Sequence, residues 1–246
     1  MLWLLLACTD PATQETGSTD SGTEDTGTGD TGTGDTGETG DTGAFEPLDG
    51  HGTLSGDCNS LDEGEWDSAS PFIFRNSLDL LEGFEDEDLL EDSQTILAEG
   101  NLNSSSLYSE IFAFEVMARC EAASLLKTEG QVDYANPDGK KTDLLILVDE
   151  RQIGLSVARG FTYPMGTAMS PEKADELLEK KVGDLPLSQD NGTGADAWER
   201  SILHIIAVDA QHGDEIEAAW GRLEAGTKMD FGLMITVTDG QDADLY

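Results

Sequence analysis

The stretch KKTDLLILVDERQIGLSVARG, Lys140 to Gly160, predicts two buried strands joined by a tight turn. Its first half, Thr142 to Asp149, is a continuous apolar run, which is typical of a strand covered on both faces. Its second half, Gln152 to Arg159, predicts the next strand. One aspartate, Asp143, stands where the first strand begins. The hairpin therefore indicates the interior of a sheet, with an acidic group at the mouth of one strand.

Segments on either side of this hairpin predict helices and further strands. Leu107 to Lys127 carries an apolar stripe at helical spacing, and Gln131 to Ala135 alternates as a strand before a turn rich in proline and glycine. After the hairpin we expect a helix capped by Ser170 with Pro171 in its first turn, a strand over 201–210, a helix over 213–226 closed by a glycine, and a strand over 230–239. This order predicts an α/β fold, a mixed β-sheet with flanking helices.

The chain is strongly acidic, with a formal net charge of −38 over 246 residues. Phosphate backbones and anionic lipid surfaces bind basic proteins, so nucleic acid is an improbable partner. The densest acidic run, Asp79 to Asp92, has leucines and a phenylalanine at helix-like spacing. We therefore expect it to form the solvated face of a surface helix.

The N-terminus, MLWLLLACTD, is apolar but far too short to span a bilayer as a helix. Its Leu5-Leu6-Ala7-Cys8 resembles the lipobox of bacterial lipoproteins, in which the leader is removed and the new N-terminal cysteine is acylated. The resemblance implies a signal peptide over residues 1–7 and a lipidated Cys8. It also implies anchoring to a bacterial membrane outside the cytoplasm, at the outer membrane or cell surface.

Residues 8–50 predict a disordered acidic linker. The segment is mostly Thr, Gly, Asp and Glu, and residues 1–50 hold 11 acids and no base. Such a composition lacks the apolar surface that offsets the entropy of ordering. Its Asp-Gly units lack the spacing of EF-hand loops and the apolar residues of calcium-binding β-rolls. We expect a spacer that holds one globular domain, residues 51–246, away from a membrane.

Two cysteines, Cys58 and Cys120, remain once Cys8 is assigned to the lipid anchor. In an exported protein an even pair is consistent with a disulfide. Two unpaired thiols, with Cys120 in the core, are the alternative, and the sequence does not decide between them. With three histidines and no Cys-x-x-Cys pair, a zinc site is not expected.

The order of elements from Leu107 to Ala210 resembles the PD-(D/E)XK, restriction-endonuclease-like superfamily, with its helix, three-strand meander, helix and strand. Enzymes of that superfamily bring a helix glutamate, an aspartate on the second strand and a Glu-x-Lys on the third to magnesium; the carboxylates hold the metal, and the lysine helps to position or activate water. The resemblance assigns the first two roles to Glu115 and Asp143. The third-strand positions are Ser156 and Ala158, which supply neither the carboxylate nor the cation. A lysine displaced to the next helix, Lys180 or Lys181, would be the substitute.

Two polar side chains lie at apolar positions in these elements, Glu115 and His204. Glu115 falls within the apolar arc of its helix, where it either pairs with Arg119 one turn on or faces Asp143. His204, within a buried strand, is interpreted as a hydrogen-bonded core residue. The expected function is therefore binding or an envelope role without catalysis and without a cofactor, the protein partner being unidentified. The alternative is a metal-dependent hydrolase or nuclease with a rearranged site that uses magnesium.

Overall fold

One seven-stranded sheet organises the computed structural model, which describes residues 52–80, 85–101, 106–240 and 245. The strands lie in the order β1-β2-β7-β6-β5-β4-β3. Their bounds are β1 Gly52–Gly56, β2 Phe72–Leu80, β3 Ser124–Thr128, β4 Leu144–Val148, β5 Arg151–Gly160, β6 Arg200–Ala207 and β7 Gly232–Val237. The predicted class, α/β with a mixed sheet and flanking helices, is confirmed.

The sheet is parallel in its centre and antiparallel at its edges. Strands β5, β6, β7 and β2 run parallel to one another. At one edge β4 and β3 continue from β5 as an antiparallel meander, and at the other edge β1 is antiparallel to β2. The turn between β4 and β5 consists of Asp149 and Glu150, both at positive φ, as tight hairpin turns require. The predicted hairpin is therefore confirmed.

Helices cover both faces of the sheet. Their bounds are α1 Glu63–Asp67, α2 Glu91–Glu99, α3 Leu107–Glu121, α4 Pro171–Gln189, α5 Ala210–Arg222 and α6 Ala225–Lys228. One core packs α2 and α3 against one face, and a second core packs α4 and α5 against the other. The predicted cap of α4 is confirmed, since the Ser170 hydroxyl accepts a hydrogen bond from the Lys173 N–H at 3.3 Å.

The predicted end of α3 is wrong. The helix stops at Glu121 rather than at Lys127, because Ala122 takes a left-handed conformation with φ of 51°. The following residues form β3, whose Leu125 pairs with Ile146 of β4. Leu125 keeps a helical spacing from Ala118, which is why the sequence pattern continued the helix into a strand.

The strand predicted over 131–135 is also wrong. This segment forms turns, and its one bridge is between Tyr134 and Gly192. The alternating apolar pattern in the sequence of this segment arises because Val132 packs with Leu145 and Trp198 in a small separate core. The Asp133 N–H donates to the Asp196 carboxylate, not to a neighbouring strand.

In its described residues, 79–80 and 85–92, the acidic run from Asp79 to Asp92 does not form the expected helix. Leu80 ends β2, residues 86–88 form a single 3₁₀ turn, and α2 begins only at Glu91. Leu78 and Leu80 alternate with exposed residues as a strand pattern does, and β2 pairs with β7. The predicted helix over 213–226 instead ends at Arg222, before the glycine.

The loop between β1 and α1 is fixed to the end of α3. Cys58 and Cys120 form a disulfide that joins positions 62 residues apart. Nearby, the Asn59 N–H donates to the Cys120 carbonyl, and the Glu121 carboxylate accepts from the N–H of Leu61 at 3.0 Å. These contacts order the start of the domain against its central helix.

The expectations for the N-terminus lie outside the described residues: the leader over 1–7, the acylated Cys8 and the linker to residue 50. In the described part of the chain, no helix combines the length and apolarity needed to cross a bilayer.

Candidate functional site

A pocket opens where β4 begins and β5 continues past it. The first β4 residue, Leu144, pairs with Leu155, so the β5 residues after Leu155 have no partner in β4. Asp143 lies at this step in the sheet edge, and its Oδ2 accepts the Val157 N–H at 2.6 Å. The cavity measures about 410 Å³.

Elements from both faces of the sheet supply charged groups to this pocket, which we call the acidic pocket. Its acids are Glu110, Glu129 and Asp143, and its bases are Arg159 and Lys181. Ser106, Ser109, Val157, Ala158, Phe161 and Leu177 complete the lining. Because α3 covers one face and α4 the other, Glu110 and Lys181 reach the same step from opposite sides.

Glu110, in the first turn of α3, is a buried acid of the pocket, with 4% of its surface exposed. Its Oε1 accepts hydrogen bonds from Asn101 Nδ2 at 2.6 Å and from Ser106 Oγ at 3.0 Å. Desolvation, and secondarily the negative charge of Asp143, raises the pKa of Glu110 to about 7. Its carboxyl group therefore titrates close to neutral pH.

The environment of Asp143 acts on the pKa of its carboxyl group in two opposing directions. Desolvation raises the pKa of its carboxyl group, while the Val157 N–H and the positive charge of Lys181 act in the other direction. Lys181 Nζ in turn donates to the Val157 carbonyl at 3.2 Å. Asp143 and Lys181 thus bind the backbone of one β5 residue, Val157: the carboxylate accepts from its N–H and the ammonium group donates to its carbonyl.

Glu115, the helix acid inferred from the family resemblance, does not reach the acidic pocket. Its Oε2 lies 3.3 Å from Arg119 Nε, and its Oε1 accepts the Leu90 N–H at 2.8 Å. The ion pair with Arg119 is one of the two alternatives that the sequence left open. Glu110 lies near Asp143 instead, because the first turn of α3, not its middle, passes over the start of β4.

The two third-strand positions hold small side chains, Ser156 and Ala158. Ser156 stands next to Asp143 across the hairpin, by continuation of the register from the Leu144–Leu155 pair. Ala158 is 7% exposed and belongs to the core beneath α4. Of the two candidate substitute lysines, Lys181 lines the acidic pocket, whereas Lys180 is exposed.

His204 is a buried core residue, as expected. Its Nε2 lies 2.7 Å from Thr236 Oγ1, which donates to Asn76 Oδ1 at 2.6 Å. Burial lowers the pKa of His204 to about 3, so the ring is neutral at physiological pH. Within the described ranges, no group of three or more His, Cys, Asp or Glu side chains is arranged to hold a metal ion.

Comparison with known proteins shows a partial likeness to one curated protein. No protein-family model matches the chain, and no solved structure matches it. A Dictyostelium discoideum protein described as "AAC-rich mRNA clone AAC4 protein" is 33% identical over 140 residues, which cover 54% of this chain. Those residues are 20% of that protein, so the chain spans about a fifth of its length. The likeness assigns no family.

Proposed function

We propose that this chain is a membrane-anchored, extracytoplasmic lipoprotein whose domain has a nuclease-like core and serves in binding, not catalysis. The anchor is inferred from Leu5-Leu6-Ala7-Cys8 and from the acidic, apolar-poor segment that follows. Such a segment suits a spacer between a lipid and a folded domain.

The order and pairing of the central elements support a nuclease-like core. Helix α3 is followed by the meander β3-β4-β5, then by α4, then by β6 lying parallel to β5. This order resembles the helix, three-strand meander, helix and strand arrangement of the PD-(D/E)XK superfamily and supports the proposal. A shared arrangement does not carry an activity, which depends on the residues of the site.

One observation carries the non-catalytic assignment: the third strand offers Ser156 and Ala158 where the superfamily places a glutamate and a lysine. A serine hydroxyl is a poor magnesium ligand, and Ala158 offers no charged group. The acidic pocket therefore lacks one of the carboxylates that would hold the metal. What remains is a polar cavity of a size suited to a small ligand.

A second function, a metal-dependent hydrolase with a rearranged site, is favoured by one specific feature. Glu110, Asp143 and Lys181 line the same cavity, although the helix acid and the lysine come from positions other than those of the superfamily motif. Under this alternative the two carboxylates would hold Mg²⁺, which would supply Lewis-acid chemistry. Lys181 would then orient a water molecule or a phosphate oxygen.

Metal titration and a cleavage assay separate the two functions. The protein is titrated with Mg²⁺ and Mn²⁺ by calorimetry and incubated with single- and double-stranded DNA and RNA. For a binding domain we expect no tight metal binding and no cleavage, and Asp143→Asn should change neither.

If metal-dependent cleavage is observed, matched variants test whether the acidic pocket is responsible for it. Metal-dependent cleavage that Asp143→Asn, Glu110→Gln and Lys181→Met each abolish would overturn the non-catalytic assignment and establish the hydrolase. Lys180→Met is the control, because it removes the neighbouring, exposed lysine from the same helix. Cleavage that survives all three substitutions would point to a contaminating nuclease.

A further inference from the structure

Two side chains of the acidic pocket take the place of a strand that ends early. The register of β4 against β5 would bring Thr142 opposite Val157, but β4 begins only at Leu144. The backbone of Val157 binds side chains instead, since its N–H donates to Asp143 and its carbonyl accepts from Lys181. A carboxylate and an ammonium group are therefore fixed close together at the wall of the cavity.

Asp143 and Lys181 use only part of their hydrogen-bonding capacity on this backbone. Within the described residues, Asp143 Oδ1 accepts no hydrogen bond, and the Lys181 ammonium group, which has three donors, donates one. Both residues are half-buried and line the cavity, so a ligand can reach them. Each group can therefore bind a ligand without releasing Val157.

Glu110 presents a further carboxyl oxygen to the same cavity. Its Oε1 accepts from Asn101 and Ser106, while its Oε2 accepts no hydrogen bond from the described part of the chain. Oε2 is not among the fully buried atoms that lack a partner, so it is open to the cavity that Glu110 lines. Because the residue is only 4% exposed, a partner for Oε2 has to come from within the cavity.

The charges of the lining indicate the class of ligand. Its three acids act against an anion, and its two bases act against a simple cation. A zwitterion satisfies both sets. Arg159 already donates to the Leu245 carbonyl and lies over the Phe161 ring, so we assign the negative group of the ligand to Lys181.

The spacing of the two fixed charges narrows this class further. Asp143 and Lys181 bind the N–H and the carbonyl of one residue, so the opposite charges of a matching ligand must also be close together. In an α-amino acid the ammonium and carboxylate groups are attached to the same carbon. Val157 and Leu177 add apolar surface to the lining, which suits an aliphatic side chain.

We propose that the acidic pocket binds a free α-amino acid with an aliphatic side chain. Its ammonium group donates to Asp143 Oδ1 and Glu110 Oε2, and its carboxylate accepts from Lys181 Nζ. The cavity, about 410 Å³, has the volume of a small-ligand site. This inference rests on the binding function proposed above and names its ligand.

The first test compares L-leucine with two analogues by calorimetry on the full-length wild-type protein in buffer containing EDTA. 3-Methylbutylamine lacks the carboxylate of leucine, and 4-methylpentanoate lacks its ammonium group. We expect saturable binding of leucine and binding of each analogue roughly tenfold or more weaker, because each loses hydrogen bonds between charged groups. An analogue that binds as tightly as leucine, or no saturable binding of leucine, would overturn the proposal.

Variants test the two charges separately. Asp143→Asn keeps the shape of the side chain but removes its charge, and Lys181→Met keeps its length but removes the ammonium group. Each should weaken leucine binding roughly tenfold or more. Lys180→Met, which removes the exposed neighbouring lysine, is the control and should leave binding unchanged. Unchanged affinity in folded Asp143→Asn or Lys181→Met contradicts the proposal, and the analogue series decides it if these variants fail to fold.

Proton release tests the contact with Glu110. Its pKa of about 7 leaves the carboxyl group largely protonated at pH 6.5, among Asp143, Glu129, Lys181 and Arg159. An ammonium group beside it favours the ionised form, so leucine binding at that pH should release protons. Calorimetry in buffers of different ionisation enthalpy measures this release, and Glu110→Gln should remove it. Equal release in Glu110→Gln and wild type would contradict the contact.

The result for the ligand is distinguishable from the result for the binding function. No leucine binding together with no metal-dependent cleavage would overturn the amino-acid ligand alone. Metal-dependent cleavage that the pocket substitutions abolish would overturn the binding function, whatever the result with leucine.

Discussion

At the scale of single residues, Glu110 links stability to pH. The folded protein keeps the Glu110 proton up to a pKa of about 7, whereas the ordinary value is 4.5. Between these values the unfolded state binds fewer protons, so this group's contribution is complete below pH 4.5 and is lost as the pH rises towards 7. Glu110 lines the cavity, where solvent screens part of the effect. We therefore expect the free energy of unfolding to fall by about 2 kcal/mol.

The substitution Glu110→Gln should remove that dependence. Glutamine keeps the oxygen that accepts from Asn101 and Ser106 but does not ionise. The variant should therefore gain about 2 kcal/mol relative to wild type between pH 4.5 and pH 8. Urea unfolding at several pH values measures the difference in free energy of unfolding. The exposed Glu179→Gln on α4 is the control, and an identical pH profile for Glu110→Gln and wild type would contradict the assignment.

At the scale of elements, the junction between the β1–α1 loop and α3 depends on the disulfide. Closing a loop of this length, 62 residues in separation, restricts the unfolded chain and should contribute about 4 kcal/mol. Reduction of Cys58–Cys120 should therefore lower the free energy of unfolding by about that amount. The Glu121 carboxylate, which holds the same loop through backbone N–H groups, cannot replace a covalent bond.

The comparison is made in a Cys8→Ser background, so that Cys58 and Cys120 are the remaining cysteines. Guanidinium unfolding is followed with and without dithiothreitol, and thiols are counted in the denatured, unreduced protein. No free thiol and a higher midpoint without reductant are expected. Two free thiols, or equal midpoints, would favour the alternative of unpaired cysteines.

At the scale of the whole molecule, the proposed anchor predicts where the chain resides. Cys8→Ser should release the protein from membranes, because a lipidated cysteine carries the two or more acyl chains that stable attachment needs. Fractionation of expressing cells into membrane and soluble parts measures this. Cys120→Ser is a control that alters the domain but not the acylation site. A Cys8→Ser protein that stays equally membrane-bound would contradict the lipoprotein proposal.

Local sequence patterns predict several secondary-structure features of the domain correctly. The apolar run of β4, the turn after it and the Ser170 cap of α4 are local features, so the sequence placed them correctly. The strand β3 and the acidic run around residue 85 were misassigned, because Leu125 and Leu80 are positioned by pairing with distant strands. Period alone does not distinguish a short edge strand from the continuation of a helix.

By itself, the sequence determined the composition, the −38 charge, the α/β class and the absence of Glu-x-Lys from the strand after Asp143. Only the tertiary structure decided which acid accompanies Asp143. Glu110 and Glu115 lie on one helix, and the crossing of α3 over the sheet brings its first turn to the mouth of β4. A second cavity likewise joins Trp66, Gln152 and Trp198, which are far apart in the chain. The spacing of these residues along the chain does not predict that they are close in space, because their proximity depends on the order of the strands in the sheet.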